Sequence, residues 1–192
     1  FRTCVFLPCA TSLVSYALIF KSLFATDGLV NAILVNLGIL QENYNFLGNS
    51  ASAKAVIIIA LIWRWTGYNM VFYLAGLQNI EYSVYEAAKI DGASGWNLFR
   101  NITWPLVSPV TFYLLITGLI GGFQVFVEVL VMVPNGGLNY SAATVVFYLY
   151  DKAFGNNQMG YASAMAFILA IIIFIITAIN FVGQDKWVKT IE

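Results

Sequence analysis

Four stretches of this chain stay apolar for about 20 residues or more, the length a helix needs to cross the hydrocarbon core of a bilayer. They lie at about Cys4–Phe24, Ala55–Leu77, Leu106–Val133 and Ala162–Val182. The fourth, reading AMAFILAIIIFIITAINFVG, carries no charge and is the clearest. Composition agrees, with 60% hydrophobic residues and 9% charged ones, where a soluble domain has about 25% charge. The expectation is one all-α integral membrane domain over residues 1–192 with four transmembrane helices. An even number of spans returns both ends to one side.

Several function classes drop out on residue inventory. There is no histidine, so His-based triads, His metal sites and His proton relays are excluded. Net charge is zero, and no long basic run offers nucleic acid an electrostatic footprint. Cys4 and Cys9 fit no zinc or redox spacing and read as packing residues. No GxxxxGK[ST] or other phosphate-cradling loop is present, so ATP hydrolysis and its cofactors are not expected on this chain. The chain begins at Phe1 rather than Met, which reads as a fragment of something longer. The first apolar stretch is too long, and lacks the end, for a signal peptide.

Basic residues set the expected orientation. Arg2, Lys89, Arg100, Lys186 and Lys189 fall on one side, Lys21, Lys54 and Lys152 on the other. That bias places both ends and the 81–105 connection in the cytoplasm of a cell membrane. In the first outer connection, Asp27-Gly28 starts a turn. Val30, Ile33, Leu34 and Leu37 then follow at helical spacing, as in a short interfacial helix. The second runs from Pro134-Asn135-Gly136-Gly137 to Gly160, with a short helix expected over Thr144–Phe154.

The cytoplasmic connection, YEAAKIDGASGWNLFRNITWPLVSP from Tyr85 to Pro109, is unlike an ordinary loop. Glu86–Ile90 is good helix-forming sequence, Gly92 permits a break with positive φ, and Gly95 can open a second short helix. Trp96, Phe99 and Ile102 (or Thr103) give that piece an apolar face, and Pro105 is expected to stop it before the next span. The pattern fits a projecting helix–turn–helix made for a partner's groove. A plain solvated loop fits it equally.

EAA-x-x-DGA at Glu86–Ala93, followed by Phe99, Ile102 and the prolines at 105 and 109, resembles the signature loop of binding-protein-dependent ABC importer permeases. LAGLQNI (Leu74–Ile80), GGFQVFVEVLVM (Gly121–Met132) and MGYASAMAF (Met159–Phe167) resemble the maltose-type, carbohydrate-uptake branch, so nearly the whole chain takes part. Departures are Glu81 where the family often has proline, NGGL (Asn135–Leu138) for a GGGP-like run, and NITWP for ITLP. The resemblance implies the last four spans of a six-span subunit with a cytoplasmic coupling helix. Glu86, Ala87 and Ala88 would lie on the ATPase-docking helix, Asp91 and Gly92 would form its turn, and Ala93 would keep contact close. It further implies a cytoplasmic ABC ATPase dimer that binds the ATP and Mg, a second, homologous permease and an extracellular or periplasmic solute-binding protein.

A solute path should show as small, polar or aromatic residues at helical spacing. Trp63, Thr66, Gly67 and Met70 form one such stripe; Gly118, Gly121, Gly122 and Val125, with Gln124 beside them, form another. The resemblance puts substrate contacts at these positions. Trp63, Thr66, Tyr68, Asn69 and Gln124 have the stacking and hydrogen-bonding groups that sugars require, while close helix packing explains the small residues equally well. Two charges, Arg64 and Glu128, fall inside or near the membrane. On straight helices Arg64 is about 24 Å beyond Ile80 and Glu128 about 34 Å beyond Pro105. A direct pair then needs a long reach, and snorkelling is the expectation for Glu128. The leading function is the permease subunit of an ATP-driven sugar importer. An ion-coupled transporter or channel is the alternative, and a scaffold without transport is a third.

Overall fold

The computed structural model describes residues 2–184, with side chains from residue 5 onward. Lys186 and Lys189, counted above toward orientation, lie outside the described residues, as do the side chains of Arg2 and Cys4. Every regular element among the described residues is helical. Three continuous helices are long and apolar enough to cross a membrane: Ser50–Gln78, Gly95–Phe123 and Met159–Gly183.

The first expected span departs from one straight helix. It consists of α1 (Arg2–Ala10) and α2 (Leu13–Leu23), separated at Thr11-Ser12. Pro8 lies inside α1; a helix-interior proline removes a donor and crowds the preceding turn. The break itself leaves the Pro8 carbonyl without its helical donor, and the Thr11 hydroxyl donates to it instead at 2.7 Å.

The connection between the first two expected spans contains α3 (Leu29–Asn36). Its apolar Leu29, Ile33 and Leu37 point outward, as an interfacial helix requires. Asn31 is the exception, almost wholly buried, and it staples the connection. Its amide nitrogen donates to the carbonyls of Ala25 and Tyr44 at 3.0 and 2.8 Å, and its amide oxygen accepts from the Tyr44 N–H at 2.9 Å.

α4 (Ser50–Gln78) is the second span. After α5 (Tyr82–Ile90) the chain turns and enters α6 (Gly95–Leu98), a wide π turn (Phe99–Thr103) and α7 (Trp104–Phe123). Pro105, expected to stop the second short helix, stops nothing. The π turn bonds the Trp104 N–H back to the Phe99 carbonyl, which places Pro105 in the first turn of α7, where proline needs no donor. Further on, Pro109 withholds the N–H that the Pro105 carbonyl would accept, and the Ser108 hydroxyl donates to that carbonyl instead, at 2.6 Å.

The third span also ends early, at Phe123 rather than Val133. Gly121 and Gly122 weaken its last turn, residues 124–126 break it, and α8 (Val127–Met132) starts afresh. The break is pinned from the connection before the last span, whose α9 (Val145–Tyr150) has Thr144 as its N-cap. The Thr144 hydroxyl accepts from the Phe147 N–H and donates to the Val125 carbonyl at 2.6 Å. A π turn (Asp151–Gly155) then leads to α10 (Met159–Gly183). Of α10 only Ala162 and Leu169 are buried among the described residues; so extensive an apolar surface belongs against lipid or another protein.

Contacts fall into two units, residues 1–67 with 121–170, and residue 68–120 with 171 onward. In the first, Tyr16, Ala17 and Phe20 pack with Val56, Ile57, Ala60, Val129 and Met132. In the second, Phe112 meets the edge of Phe181 with ring centroids 5.1 Å apart, and the Tyr73 hydroxyl donates to Thr111 at 3.2 Å.

Candidate functional site

The loop expected at 81–105 is a helix, a glycine turn and a second helix. α5 ends in a complete reversal. The Gly92 N–H bonds to the Lys89 carbonyl at 3.1 Å and the Ala93 N–H to the Ala88 carbonyl at 2.9 Å, with Gly92 at φ +80°. That pair of bonds is the Schellman arrangement, whose turn position favours glycine because a Cβ is strained there. Among the described residues nothing beyond its own chain neighbours lies within 4 Å of where a Gly92 Cβ would be, so the turn's outer side is open there. Glu86, Ala87, Asp91 and Gly92 are exposed and Ala93 is half-buried. Ala88, also on α5, has its side chain buried, and its carbonyl accepts the Ala93 N–H of the reversal. Three apolar side chains of α5 stay exposed, Tyr82, Val84 and Ile90, the last at 86%. The Tyr85 hydroxyl lies 3.3 Å from that of Thr103, tying α5 to the π turn.

The expected path residues divide into groups. Trp63 and Thr66 line one cleft of about 500 Å³ with Val5, Pro8, Ile59 and Ile62. Trp63 also leans on Phe20, centroids 5.3 Å apart, and the Thr66 hydroxyl donates back to Ile62 at 2.6 Å. Gly67 is given over to packing, since a Cβ there would overlap the Val5 carbonyl. Gly122 and Val125 line a second cleft, of about 290 Å³, with Lys54 and Ser141 among its walls. Gly118, Gly121 and Gly122 have open space where a Cβ would stand, Gln124 is exposed and Met70 half-buried. Sequence reasoning missed an aromatic platform. Tyr68 packs on Phe72 at 4.6 Å, Phe72 on Tyr113 at 5.2 Å, and the two tyrosine hydroxyls are 3.4 Å apart. The spacing of 68 and 72 on one helix was a readable signal; Tyr113 was not.

Arg64 and Glu128 are both buried, and Glu128 does not snorkel. The break after α7 puts Glu128 on a separate helix, so straight-helix reckoning of its depth fails. One Arg64 nitrogen, Nη1, donates to the carbonyls of Pro8 and Thr11, each at 3.0 Å, and Nη2 donates to that of Cys9 at 3.3 Å. Arg64 thus satisfies the backbone freed by the α1–α2 break. Its guanidinium also lies 4.7 Å from the centre of the Tyr16 ring, and the Tyr16 hydroxyl donates to Glu128. The two charges are joined through a tyrosine rather than paired directly. Cys9 is a free thiol, half-buried.

Outside the spans, the Tyr140 hydroxyl donates to Asp151 Oδ2 at 2.9 Å. That bond, with the carboxylate's charge, raises the Tyr140 pKa above its ordinary value. Among the described residues no group of three or more acidic, cysteine or histidine side chains is placed to hold a metal ion.

Long apolar helices, interrupted and joined by short ones, define an integral membrane protein, and comparison with known proteins narrows it. Residues 1–186 match the family model described as binding-protein-dependent transport system inner membrane component. The chain belongs to that family. It is 43% identical over 183 residues to the lactose transport system permease protein LacF of Rhizobium radiobacter, covering 94% of this chain and 61% of the relative. It is 36% identical over 182 residues to the arabinooligosaccharides transport system permease protein AraP of Bacillus subtilis (strain 168), covering 94% and 58%. The chain therefore spans about three fifths of the length of these relatives. A crystal structure of a bacterial alginate ABC transporter in complex with an alginate pentasaccharide-bound periplasmic protein superposes with a TM-score of 0.85. Identity is 26%, over 98% of this chain and 65% of that one.

Proposed function

We propose that this chain forms part of the translocation path of an ATP-driven importer for a sugar or related solute, and couples that path to a separate ATPase. The observation that carries the reading is the docking loop. α5 ends in a rigid glycine turn, with Glu86, Ala87 and Asp91 exposed beside outward apolar Tyr82, Val84 and Ile90. Apolar side chains presented in this way suit a protein groove better than water. Glu86 would face a basic group of the ATPase, which would itself hold ATP and Mg; this chain would bind neither. Closure of an ATPase dimer would move α5 as a rigid body and rock the attached spans between inward- and outward-facing states.

A sugar is favoured by the relatives, which belong to lactose and arabinooligosaccharide transport systems, and by aromatic surfaces such as Trp63 and the Tyr68–Phe72–Tyr113 platform, which offer faces to stack on. A second, homologous permease would complete the path opposite the open glycines Gly118, Gly121 and Gly122. A periplasmic or extracellular solute-binding protein would dock on the outer connections, and both ends of the chain would lie in the cytoplasm. An ion-coupled mechanism would need ionisable groups facing a cavity; Arg64 is closed off by backbone carbonyls and Glu128 by Tyr16, which counts against it. The test is a mild-detergent pull-down of the full-length protein beside Gly92→Arg. An ATPase that copurifies with wild type and is lost with the variant supports the reading. Folded, abundant protein without an ATPase defeats it.

A further inference from the structure

The helix that runs unbroken from Gly95 to Phe123 has 29 residues. At 1.5 Å per residue it is about 43 Å long, against about 30 Å of hydrocarbon. Residues 104–123 carry no charge, whereas residues 95–103 contain Asn97, Arg100, Asn101 and Thr103. The surplus therefore falls at the N-terminal end, and α6 with its π turn runs at headgroup level. There the π turn gathers Trp96, Phe99, Arg100 and Trp104 around one groove of about 370 Å³. Trp96 is 69% exposed and Trp104 50%. Trp96 stacks on Phe99 with centroids 5.6 Å apart, and Phe99 leans on Trp104 at 6.3 Å. Arg100 is exposed and has no ion-pair partner among the described residues; neither Glu86 nor Asp91 neutralises it.

Three exposed aromatic rings and one uncompensated guanidinium in a groove, at this depth, match the chemistry of a phospholipid. Indole rings favour the interface between headgroups and acyl chains. A guanidinium offers a planar fork that fits phosphate oxygens, and anionic lipid attracts basic groups at its surface. We propose that Trp96, Phe99, Arg100 and Trp104 seat the phosphate headgroup of an anionic membrane phospholipid beside the docking loop. The lipid would fix the level of α6, and with it α5, against the membrane surface. The inference rests on membership of a membrane family, not on what solute is carried.

The test uses the full-length protein in phosphatidylcholine vesicles containing a minor fraction of either dibrominated phosphatidylglycerol or dibrominated phosphatidylcholine. The signal is the bromine quenching of tryptophan emission, taken as wild type minus the Trp96→Phe/Trp104→Phe double variant. Phosphatidylglycerol should be enriched about fivefold at the groove, the factor expected for one basic side chain at an anionic surface. Arg100→Gln should abolish that preference and Arg100→Lys retain part of it. Helix content, read by circular dichroism, should not change, because Arg100 supports no packing. Excess inorganic phosphate should leave the quenching intact. Equal quenching by the two lipids, or a preference that survives Arg100→Gln, would overturn the proposal. So would relief by free phosphate, which would mark a soluble-anion site, or shielding by added ATPase in both lipids, which would mark a protein-docking face.

Discussion

Replacing Arg64 by alanine should be among the most damaging single changes in this chain. The guanidinium makes three hydrogen bonds, to the carbonyls of Pro8, Thr11 and Cys9. Hydrogen bonds involving a charged group contribute about 1.5–3 kcal/mol each, and the contact with the Tyr16 ring adds about 0.5–2 kcal/mol. These contributions share one side chain and do not add. The Pro8 carbonyl also keeps its bond from Thr11. The residual cost is that of leaving the Thr11 and Cys9 carbonyls without these partners, at about 1–3 kcal/mol each, or roughly 2–6 kcal/mol together. Lysine carries the charge but not the fork, so Arg64→Lys should recover roughly half of that loss. The assay is reversible unfolding of the full-length protein in mixed detergent micelles, followed by circular dichroism. Arg64→Ala within about 1 kcal/mol of wild type would refute the argument that the guanidinium holds the α1–α2 break together, since even one such bond is worth more. Lysine as damaging as alanine would leave the break but remove charge from its explanation.

Gly67→Val should destabilise by about 1–3 kcal/mol, as overpacking does, because its side chain meets the Val5 backbone; Gly121→Val, with open space around it, should be nearly neutral in the same detergent unfolding assay. Asn31→Ala should cost about 2 kcal/mol, because Ala25 and Tyr44 lose buried partners, and limited proteolysis should then open residues 25–49 first. Tyr140 should ionise above the ordinary tyrosine value near 10 in an ultraviolet titration of wild type minus Tyr140→Phe, and Asp151→Asn should bring it back down. Its bond to Asp151 favours the protonated form, so that contribution is present below the ordinary value and is lost as pH rises through the folded one.

Much of the architecture was legible in composition and spacing. The α3 helix, the Gly92 turn and α10 stand where apolar periodicity and turn chemistry put them. The helix breaks did not show, because hydropathy is blind to them: apolar residues continue across Thr11-Ser12 and across residues 124–126. Pro8 and the Gly121-Gly122 pair were the available signals, and each was outweighed by the length of its apolar run. Pro105 misled in the other direction, since a π turn ahead of it lets the helix continue. Missing those breaks hid the buried network as well. Only a broken first span exposes carbonyls to Arg64, and only a broken third span brings Glu128 to Tyr16. Gly67 shows a different limit. Its partner, the Val5 backbone, is set by packing and not by the residue type itself.

The central claim is that α5 meets an ATPase on the side of the membrane opposite α3. A photocrosslinker placed at Ala87 of the full-length protein, in native membranes, tests this most directly, with Leu37 of the exposed first outer connection as the control. The account predicts an adduct at the mass of an ATPase from Ala87 and none from Leu37. An ATPase adduct from Leu37, or none from Ala87 while the protein is folded and abundant, would contradict it.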